Sequence, residues 1–178
     1  MESQELFMKR ILTIDLKDYT DDMTRFRRPS VRAVIIADSM AAMVYSTKYD
    51  YYKFPGGGIE NNESHLETLI REVREETGLI VIADSVKEFG SVLRIQRSRF
   101  NPDEIFEQEN FYYLCSVSES KDKQLLDEYE LEEGFTLKYV YPEEAIEVNR
   151  THDHSGYDSA LIEREALVLE QLVDKGLL

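Results

Sequence analysis

Apolar positions in the middle of this chain fall into short runs rich in β-branched and aromatic residues, and turn-forming or charged residues separate the runs. Such a pattern is typical of β-strands. We predict strands over residues 31–38, 41–49, 51–54, 87–98, 106–117 and 135–141. Turn residues near Asp38 and over 101–104 connect neighbouring strands. Residues 6–16 predict an extra strand or a lead-in, whereas 24–30 and 121–134 are interpreted as a basic connector and a charged loop.

Three further segments carry helix signals. Ser64 and Glu67 have the spacing of a capping box, and Gly78 suits the left-handed position just past a helix, so we predict a helix between them. Apolar residues recur inside it at helical spacing and form one buried stripe, namely Leu66, Leu69, Ile70 and Val73. A proline begins a short helix over 142–149, and the amphipathic stretch 157–176 predicts a C-terminal helix.

The order of these elements predicts the fold class. Strands alternate with helices that each have one apolar face, which indicates an α/β (α+β) sandwich with a mixed β-sheet. We find no internal repeat and no second domain boundary. Residues 1–29 are interpreted as an N-terminal extension packed on the domain, and residues 30–178 as the domain itself, including the C-terminal helix.

Composition limits the partners. The 178 residues include 21 Lys and Arg against 36 Asp and Glu, a net charge of −15, and 42% are hydrophobic. The chain is therefore globular, and its charge disfavours long contacts with nucleic acid. An acidic protein can still bind a small phosphate compound if a divalent metal neutralises the negative charge at the binding site. Cys115, the single cysteine, cannot form an internal disulfide. With neither a signal peptide nor a membrane-spanning stretch in the sequence, we expect a cytoplasmic protein.

The predicted helix at 64–77 gathers carboxylates directly after three glycines. Glu72, Glu75 and Glu76 project from one flank of it, beside the stripe that is buried. Like charges at this spacing destabilise a helix, so something must compensate. Mg2+ and Mn2+ prefer oxygen ligands, and glycines let the backbone approach and offer a carbonyl oxygen. The alternative is an ordinary solvated acidic face, which the adjacent glycines of 56–58 make less favoured.

The same stretch resembles a known motif in full. From Gly57 to Leu79 it is similar to the Nudix box, G-x(5)-E-x(7)-R-E-U-x-E-E-x-G-U, where U is a bulky aliphatic residue. The fixed positions are filled by Gly57, Glu63, Arg71, Glu72, Val73, Glu75, Glu76, Gly78 and Leu79. The surrounding strands follow the layout of that family, so the resemblance extends over roughly residues 30–166.

Resemblance to the Nudix hydrolases (MutT-like pyrophosphohydrolases) implies an α/β/α sandwich and Mg2+-dependent or Mn2+-dependent hydrolysis of a phosphoanhydride, in a nucleoside diphosphate linked to a group X. It implies that the metal ligands are Glu72, Glu75, Glu76 and the carbonyl of Gly56. It implies that Glu63 is a further ligand or organises the water, and that Arg71 orients a catalytic glutamate. Family members are often dimers, so a homodimer through the C-terminal helix is also compatible.

The remaining candidates lie outside the box. Many relatives take a general base or another metal ligand from a distant glutamate, and we select Glu130 from a set that also contains Glu104, Glu107, Glu109, Glu128, Glu132 and Glu133. Arg94, Arg97, His152 and His154 are candidate contacts to substrate. Strand alternation places Arg94 on the opposite face from Arg97 and Arg99. A solvated strand face is an equally good interpretation of these arginines.

Two interpretations compete with a hydrolase. The chain could be a nucleotide-sensing binding domain without activity, although the complete set of box carboxylates favours catalysis. The acids could instead hold a purely structural metal. For the hydrolase, a nucleoside triphosphate, a damaged nucleotide and a sugar nucleotide all remain open as the substrate.

Overall fold

A computed structural model describes residues 8–178 of the chain. Its elements, in chain order, are β1 (Arg10–Asp15), β2 (Thr24–Arg27), β3 (Ser30–Val34), β4 (Ile36–Ala37), β5 (Met40–Ser46), β6 (Tyr51–Lys53), α1 (His65–Thr77), β7 (Leu79–Val81), β8 (Lys87–Arg97), β9 (Glu104–Leu114), β10 (Val117–Lys121), α2 (Glu128–Glu133), β11 (Phe135–Val140), α3 (Pro142–Thr151) and α4 (Ser159–Asp174).

The strands form two main sheets and one short pair. In the first sheet β8 and β9 are antiparallel, β1 runs parallel to β8, and β2 and β3 run parallel to successive parts of β9. In the second sheet β5 pairs antiparallel with β4, β6 and β11. A two-stranded pair joins β7 to β10. Parallel and antiparallel pairs therefore coexist, and the predicted mixed α/β (α+β) architecture is confirmed.

Two apolar clusters fill the space between sheets and helices. One contains Leu69 and Val73 of α1 together with Val31 and Ala33 of β3. The other contains Leu169 of α4 together with core residues of β5, β8 and β9. Because the clusters lie against different helices, the sheets are covered from two sides, as the α/β/α sandwich requires.

Helix α1 begins and ends where the sequence predicts. The Ser64 hydroxyl accepts from the Glu67 amide at 3.2 Å, and the Glu67 carboxylate accepts from the Ser64 amide at 2.8 Å. Gly78 follows the helix with φ 74° and donates its amide to the Arg74 carbonyl. These two caps fix the length of α1, and with it the position of the box carboxylates.

Two segments differ from the sequence prediction. The stretch 121–134 is not only a loop, since it contains α2, which Asp127 and Glu130 begin with a second capping box and Gly134 ends in a left-handed conformation. The stretch 24–30 is not only a connector, because its first half is β2. That strand has four residues, all exposed, so it lacks the apolar alternation that would have predicted it. Strand β1 lies within 6–16, whose first two residues fall outside the described range.

The helix-to-sheet contact of α4 is polar as well as apolar. Arg164 and Glu165 are both 0% exposed. The Arg164 Nε donates to Glu165 at 2.6 Å, and its Nη1 donates to the side chain of Asn110 at 2.8 Å. Glu165 accepts in turn from the Phe54 amide at 2.6 Å. This buried pair therefore ties α4 both to β9 and to the chain just before the glycine turn.

Replacing Arg164 with methionine should destabilise the fold, because Glu165 would remain buried without its cation. Removing one partner of a buried ion pair costs about 3–5 kcal/mol. Urea denaturation should show that loss. The matched control is Arg150→Met, because Arg150 forms its ion pairs with Glu163 and Glu170 at the surface, where such pairs contribute about 0–1 kcal/mol. Equal losses in the two variants would contradict the assignment.

Candidate functional site

Three glutamates meet where α1 and α2 approach each other. Glu72 and Glu76 lie one turn apart on α1, and Glu130 comes from α2. Each contributes a carboxylate oxygen, and these oxygens all lie within 4.8 Å of one another. Glu76 is 1% exposed, Glu130 5% and Glu72 9%. Oxygen ligands at this separation suit a hard divalent cation, and the three residues are called the carboxylate cluster below.

The glycine turn lies directly against this cluster. A Cβ atom on Gly57 would lie 2.5 Å from the carboxylate carbon and both oxygens of Glu72. At Gly56, whose φ is 143°, a Cβ would lie 2.1 Å from the carbonyl oxygen of Val31. Only glycine therefore lets the backbone come this close to the carboxylates and to β3.

Glu76 is held from two directions. Its Oε1 accepts from the Nζ of Lys53 at 2.5 Å, and its Oε2 accepts from the Gly56 amide at 2.9 Å. Lys53 is buried and lies over the ring of Phe135 at 4.5 Å from its centroid. The sequence analysis did not select Lys53, and its place two residues before Pro55 was the one signal available. Lys53 lies on β6, so the second sheet supplies a positive charge that contacts the cluster directly.

The Gly56 carbonyl, which the resemblance implies as a metal ligand, accepts a hydrogen bond from Nη1 of Arg32 at 2.5 Å. A carbonyl oxygen has two lone pairs, so this bond leaves one for a cation. Arg32 lies on β3, and the sequence analysis missed it because nothing in a run of strand residues marks one arginine as turned towards a loop.

Arg71 connects the remaining box acids. It donates from Nε and Nη2 to the two oxygens of Glu63, at 2.7 and 2.8 Å. Its Nη1 donates to Glu72 at 2.7 Å and to Glu75 at 3.2 Å. Glu75, predicted as a metal ligand, is the most exposed of the box carboxylates on α1 and is not among the three whose oxygens converge. The bidentate contact with Glu63 fixes the guanidinium, and the guanidinium in turn orients Glu72.

Burial and charge separate the acids into two kinds. Burial raises the pKa of Glu72, Glu76 and Glu130, and the Glu76 charge raises that of Glu72 further. The Arg71 guanidinium lowers the pKa of Glu63 to about 2. The cluster therefore contains too little positive charge to stabilise three ionised carboxylates, whereas the Glu63 carboxylate is stabilised by its ion pair with Arg71. A divalent cation would supply what the cluster lacks.

The other glutamates considered outside the box lie elsewhere. Glu107 and Glu109 form ion pairs with arginines on the first sheet. Glu133, on α2, accepts from the Tyr51 hydroxyl at 3.1 Å. Among the glutamates proposed for this role, Glu130 is the one that the structure brings into the carboxylate cluster.

The predicted substrate contacts fall in two places. Arg94 is 4% exposed and donates from Nη1 to Asp158 at 2.8 Å, while Arg97 lies on the other face of β8 with an exposed side chain, as strand alternation predicted. His152 bonds Asp50 at 2.7 Å, and His154 lies between the carbonyls of Tyr49 and Asn149. None of the cluster carboxylates is among the partners of these histidines.

Fold and site together define an α/β/α sandwich in which a glycine turn lies against a cluster of buried glutamates. The chain belongs to the NUDIX domain family, whose sequence pattern matches residues 26–160. The family predicted from the box is thereby confirmed. Within residues 8–178 no helix is both long enough and apolar enough to cross a membrane.

Two curated proteins share parts of the sequence. An RNA pyrophosphohydrolase from Halorhodospira halophila (strain DSM 244 / SL1) is 43% identical over 54 residues, which are 29% of this chain and 29% of that protein. Nucleoside diphosphate-linked moiety X motif 6 from Homo sapiens is 39% identical over 66 residues, which are 37% of this chain and 19% of that protein. The chain spans less than a third of the length of either relative.

Solved structures share the fold. A NUDIX hydrolase from Nitrosomonas europaea superposes with a TM-score of 0.58 at 18% identity, over 83% of this chain and 90% of that one. A MutT structure described for Aliivibrio salmonicida and Vibrio cholerae gives a TM-score of 0.55 at 17% identity, over 84% of this chain and 99% of that one. At such identities the likeness concerns the fold alone.

Substituting alanine for Gly57 should weaken metal binding, because the new methyl group would displace the Glu72 carboxylate. Changes that misplace a metal ligand lower affinity roughly 10- to 100-fold. Calorimetric titration with Mn2+ measures the effect. Gly58→Ala is the control, since its Cβ would meet only the flexible side chain of Arg28. Unchanged affinity in the Gly57 variant would show that the turn does not position the cluster.

Metal binding should strengthen with pH. The raised pKa values of Glu72, Glu76 and Glu130 mean that protons compete with the cation in mildly acidic solution. Without metal, the same shifts make the folded state lose stability as pH rises through these pKa values, because the unfolded chain ionises its glutamates earlier. The increase in Tm caused by Mn2+ should therefore be larger at about pH 8 than at about pH 5. An equal increase at both pH values would contradict this account.

Proposed function

We propose that this protein is a pyrophosphohydrolase that uses Mg2+ or Mn2+ to cleave the phosphoanhydride of a nucleoside diphosphate linked to a group X. The observation that carries the proposal is the convergence of Glu72, Glu76 and Glu130 against the glycine turn. An oxygen-only site of this kind suits Mg2+ and the phosphate oxygens of a nucleotide. The curated relative named RNA pyrophosphohydrolase, which shares part of the sequence, supports the reaction class.

The residues that would hold the metal are Glu72, Glu76, the Gly56 carbonyl and, at the rim, Glu75, and Glu130 lies beside them. When bound, the metal neutralises phosphate charge, polarises phosphorus and lowers the pKa of a water molecule. Arg71 keeps Glu72 directed towards that place through its contact with Glu63. Lys53 and the Gly56 amide keep Glu76 in position.

Glu130 is the general base of this proposal. Burial raises the pKa of Glu130, so its carboxylate is a better proton acceptor than that of Glu63, whose pKa Arg71 lowers to about 2. Water oxygen bonds to phosphorus, the bridging P–O bond breaks, and the water proton passes to a carboxylate oxygen of Glu130. The role of Glu63 is then to anchor Arg71.

A nucleotide-type small molecule fits the charge of the chain better than a long polyanion does. The net charge of −15 opposes extended contact with nucleic acid. A nucleoside triphosphate, a damaged nucleotide and a sugar nucleotide are the substrate classes that we propose to compare. A cytoplasmic location agrees with the single cysteine, and the homodimer stays a prediction.

Turnover provides the test. Phosphate or pyrophosphate release should require Mg2+, and Glu75→Gln, Glu76→Gln and Glu130→Gln should each lower kcat by roughly a hundredfold or more. Each glutamine keeps the size of the side chain and removes its charge. Glu143→Gln is the control, because Glu143 is exposed on α3.

The rival interpretations predict other results. Metal binding without turnover on any member of a nucleotide panel would favour a nucleotide sensor. Metal-dependent folding without turnover would favour a structural metal. Wild-type rates in all three glutamine variants would refute the assignment of these residues.

A further inference from the structure

A recess lies at the turn end of the β8–β9 hairpin, beside the first turn of α4. It encloses about 50 Å³ and is lined by Arg94, Gln96, Phe100, Phe106 and Asp158, among others. This volume admits the edge of one planar ring and not a whole nucleoside. We call it the hairpin pocket.

Two residues that line this pocket each carry a buried polar atom that lacks a hydrogen-bond partner within the described part of the chain. Gln96 is 4% exposed, and its Oε1 is buried and unbonded among residues 8–178. Arg94 is equally buried, and its Nε is unbonded among the same residues, although its two terminal nitrogens donate to Asp158 and Gln108. Buried polar groups in proteins are almost always paired. An unpaired acceptor on Gln96 and an unpaired N–H donor on Arg94 therefore lie two residues apart, on the same face of β8.

Aromatic side chains surround these polar atoms. The Arg94 guanidinium lies over the Phe106 ring, 5.0 Å from its centroid. At the mouth, Phe100 is 98% exposed, more than any other large hydrophobic residue between 8 and 178. A free aromatic ring beside a polar recess is the arrangement on which planar bases stack.

Contacts lead from the hairpin pocket to the carboxylate cluster. Asp158 follows Tyr157, whose ring stacks on Tyr51 with centroids 5.0 Å apart. Tyr51 donates to Glu133 on α2, the helix that carries Glu130. Two residues after Tyr51, Lys53 contacts Glu76. The two sites are thus related through β6, α2 and the start of α4, which carry residues of both.

We propose that the hairpin pocket binds the nucleobase of the substrate and that Gln96 is a specificity-determining residue. The proposal rests on the proposed function for the phosphate part of the ligand. The amide oxygen of Gln96 accepts from an N–H group on the edge of the base, Arg94 Nε donates to the adjacent acceptor, and Phe100 stacks on the face. A base edge that carries an N–H donor beside an acceptor matches this pair of atoms, so the two contacts favour a ligand with such a base over one without it.

Phosphate does not fit this pocket. An unpartnered amide oxygen needs a donor, and an ionised phosphate offers only acceptors. A sugar hydroxyl satisfies the amide oxygen but makes no use of the ring of Phe100. A flat heteroaromatic edge is the group that uses the acceptor, the donor and the ring together.

Binding of nucleoside monophosphates without metal tests the proposal. Calorimetry or NMR titration compares AMP, GMP, CMP and UMP with ribose 5-phosphate, which lacks a base. Wild-type protein should bind at least one monophosphate about tenfold more tightly than ribose 5-phosphate, as one stacked base contributes. Gln96→Leu should lower the affinity for that monophosphate about fivefold, which is the effect of losing one hydrogen bond. Affinity for ribose 5-phosphate should stay unchanged.

Matched variants separate binding from folding. Gln96→Leu removes a buried unpaired atom, so its Tm should not fall. Phe100→Ala changes an exposed side chain and should lose most of the preference for a base, while Phe100→Tyr keeps a ring and should retain it. Gln171→Leu repeats the amide-to-leucine change on α4, outside the pocket, and should bind like the wild type.

Two results would overturn the proposal. One is equal affinity of the wild type for ribose 5-phosphate and for all four monophosphates. The other is a base preference that survives in both Gln96→Leu and Phe100→Ala. Because the titrations omit metal and need no turnover, they remain informative even if the protein hydrolyses nothing. A hydrolase with no base preference would refute this inference and leave the proposed function intact.

Discussion

The carboxylate cluster imposes the main physical constraint on this structure. Burying three glutamates within reach of one another removes their hydration and places like charges side by side, which is unfavourable unless positive charge is supplied. Lys53 and the Gly56 amide stabilise Glu76, and Arg71 stabilises Glu72. Among residues 8–178, Glu130 accepts from a backbone amide and a tyrosine hydroxyl and has no ion-pair partner. A deficit of positive charge therefore remains at the junction of α1 and α2, and this deficit is the reason for proposing a divalent cation there.

The glycine turn is part of the same solution. The amide of Val31 donates to the Gly57 carbonyl at 3.0 Å, and that of Ala33 donates to the Pro55 carbonyl at 2.8 Å, so the turn runs along β3 like a further strand. With its backbone fixed in this way, the turn presents an amide to Glu76 and a carbonyl towards the cluster. The elements that form the site are packed on both apolar clusters. One cluster lies between β3 and α1, and the other lies against α4.

Polar residues occupy much of the interior on the α4 side. Arg94 and Arg164 share Gln108 as an acceptor, and each also pairs with an acid on α4 or at its start. These contacts fix the start of α4 against the hairpin of β8 and β9. Within residues 8–178 this network satisfies most of the buried polar atoms on this side but leaves the Gln96 amide oxygen and the Arg94 Nε without hydrogen-bond partners, and both residues line the hairpin pocket.

The sequence by itself determined helix α1, its caps and the family, because capping, helical spacing and the box all act over a few residues. Glu130 was chosen from the acids of its segment, but no property of the sequence distinguishes it physically from the others. Only the tertiary structure decided that α2 forms and carries Glu130 to α1, and that exposed β2 pairs with β9. It also decided that Lys53 contacts Glu76, that Arg32 contacts the Gly56 carbonyl and that Gln96 lines the hairpin pocket. Those outcomes depend on contacts between residues far apart in the chain, and no local pattern of polar and apolar residues encodes which distant groups will meet.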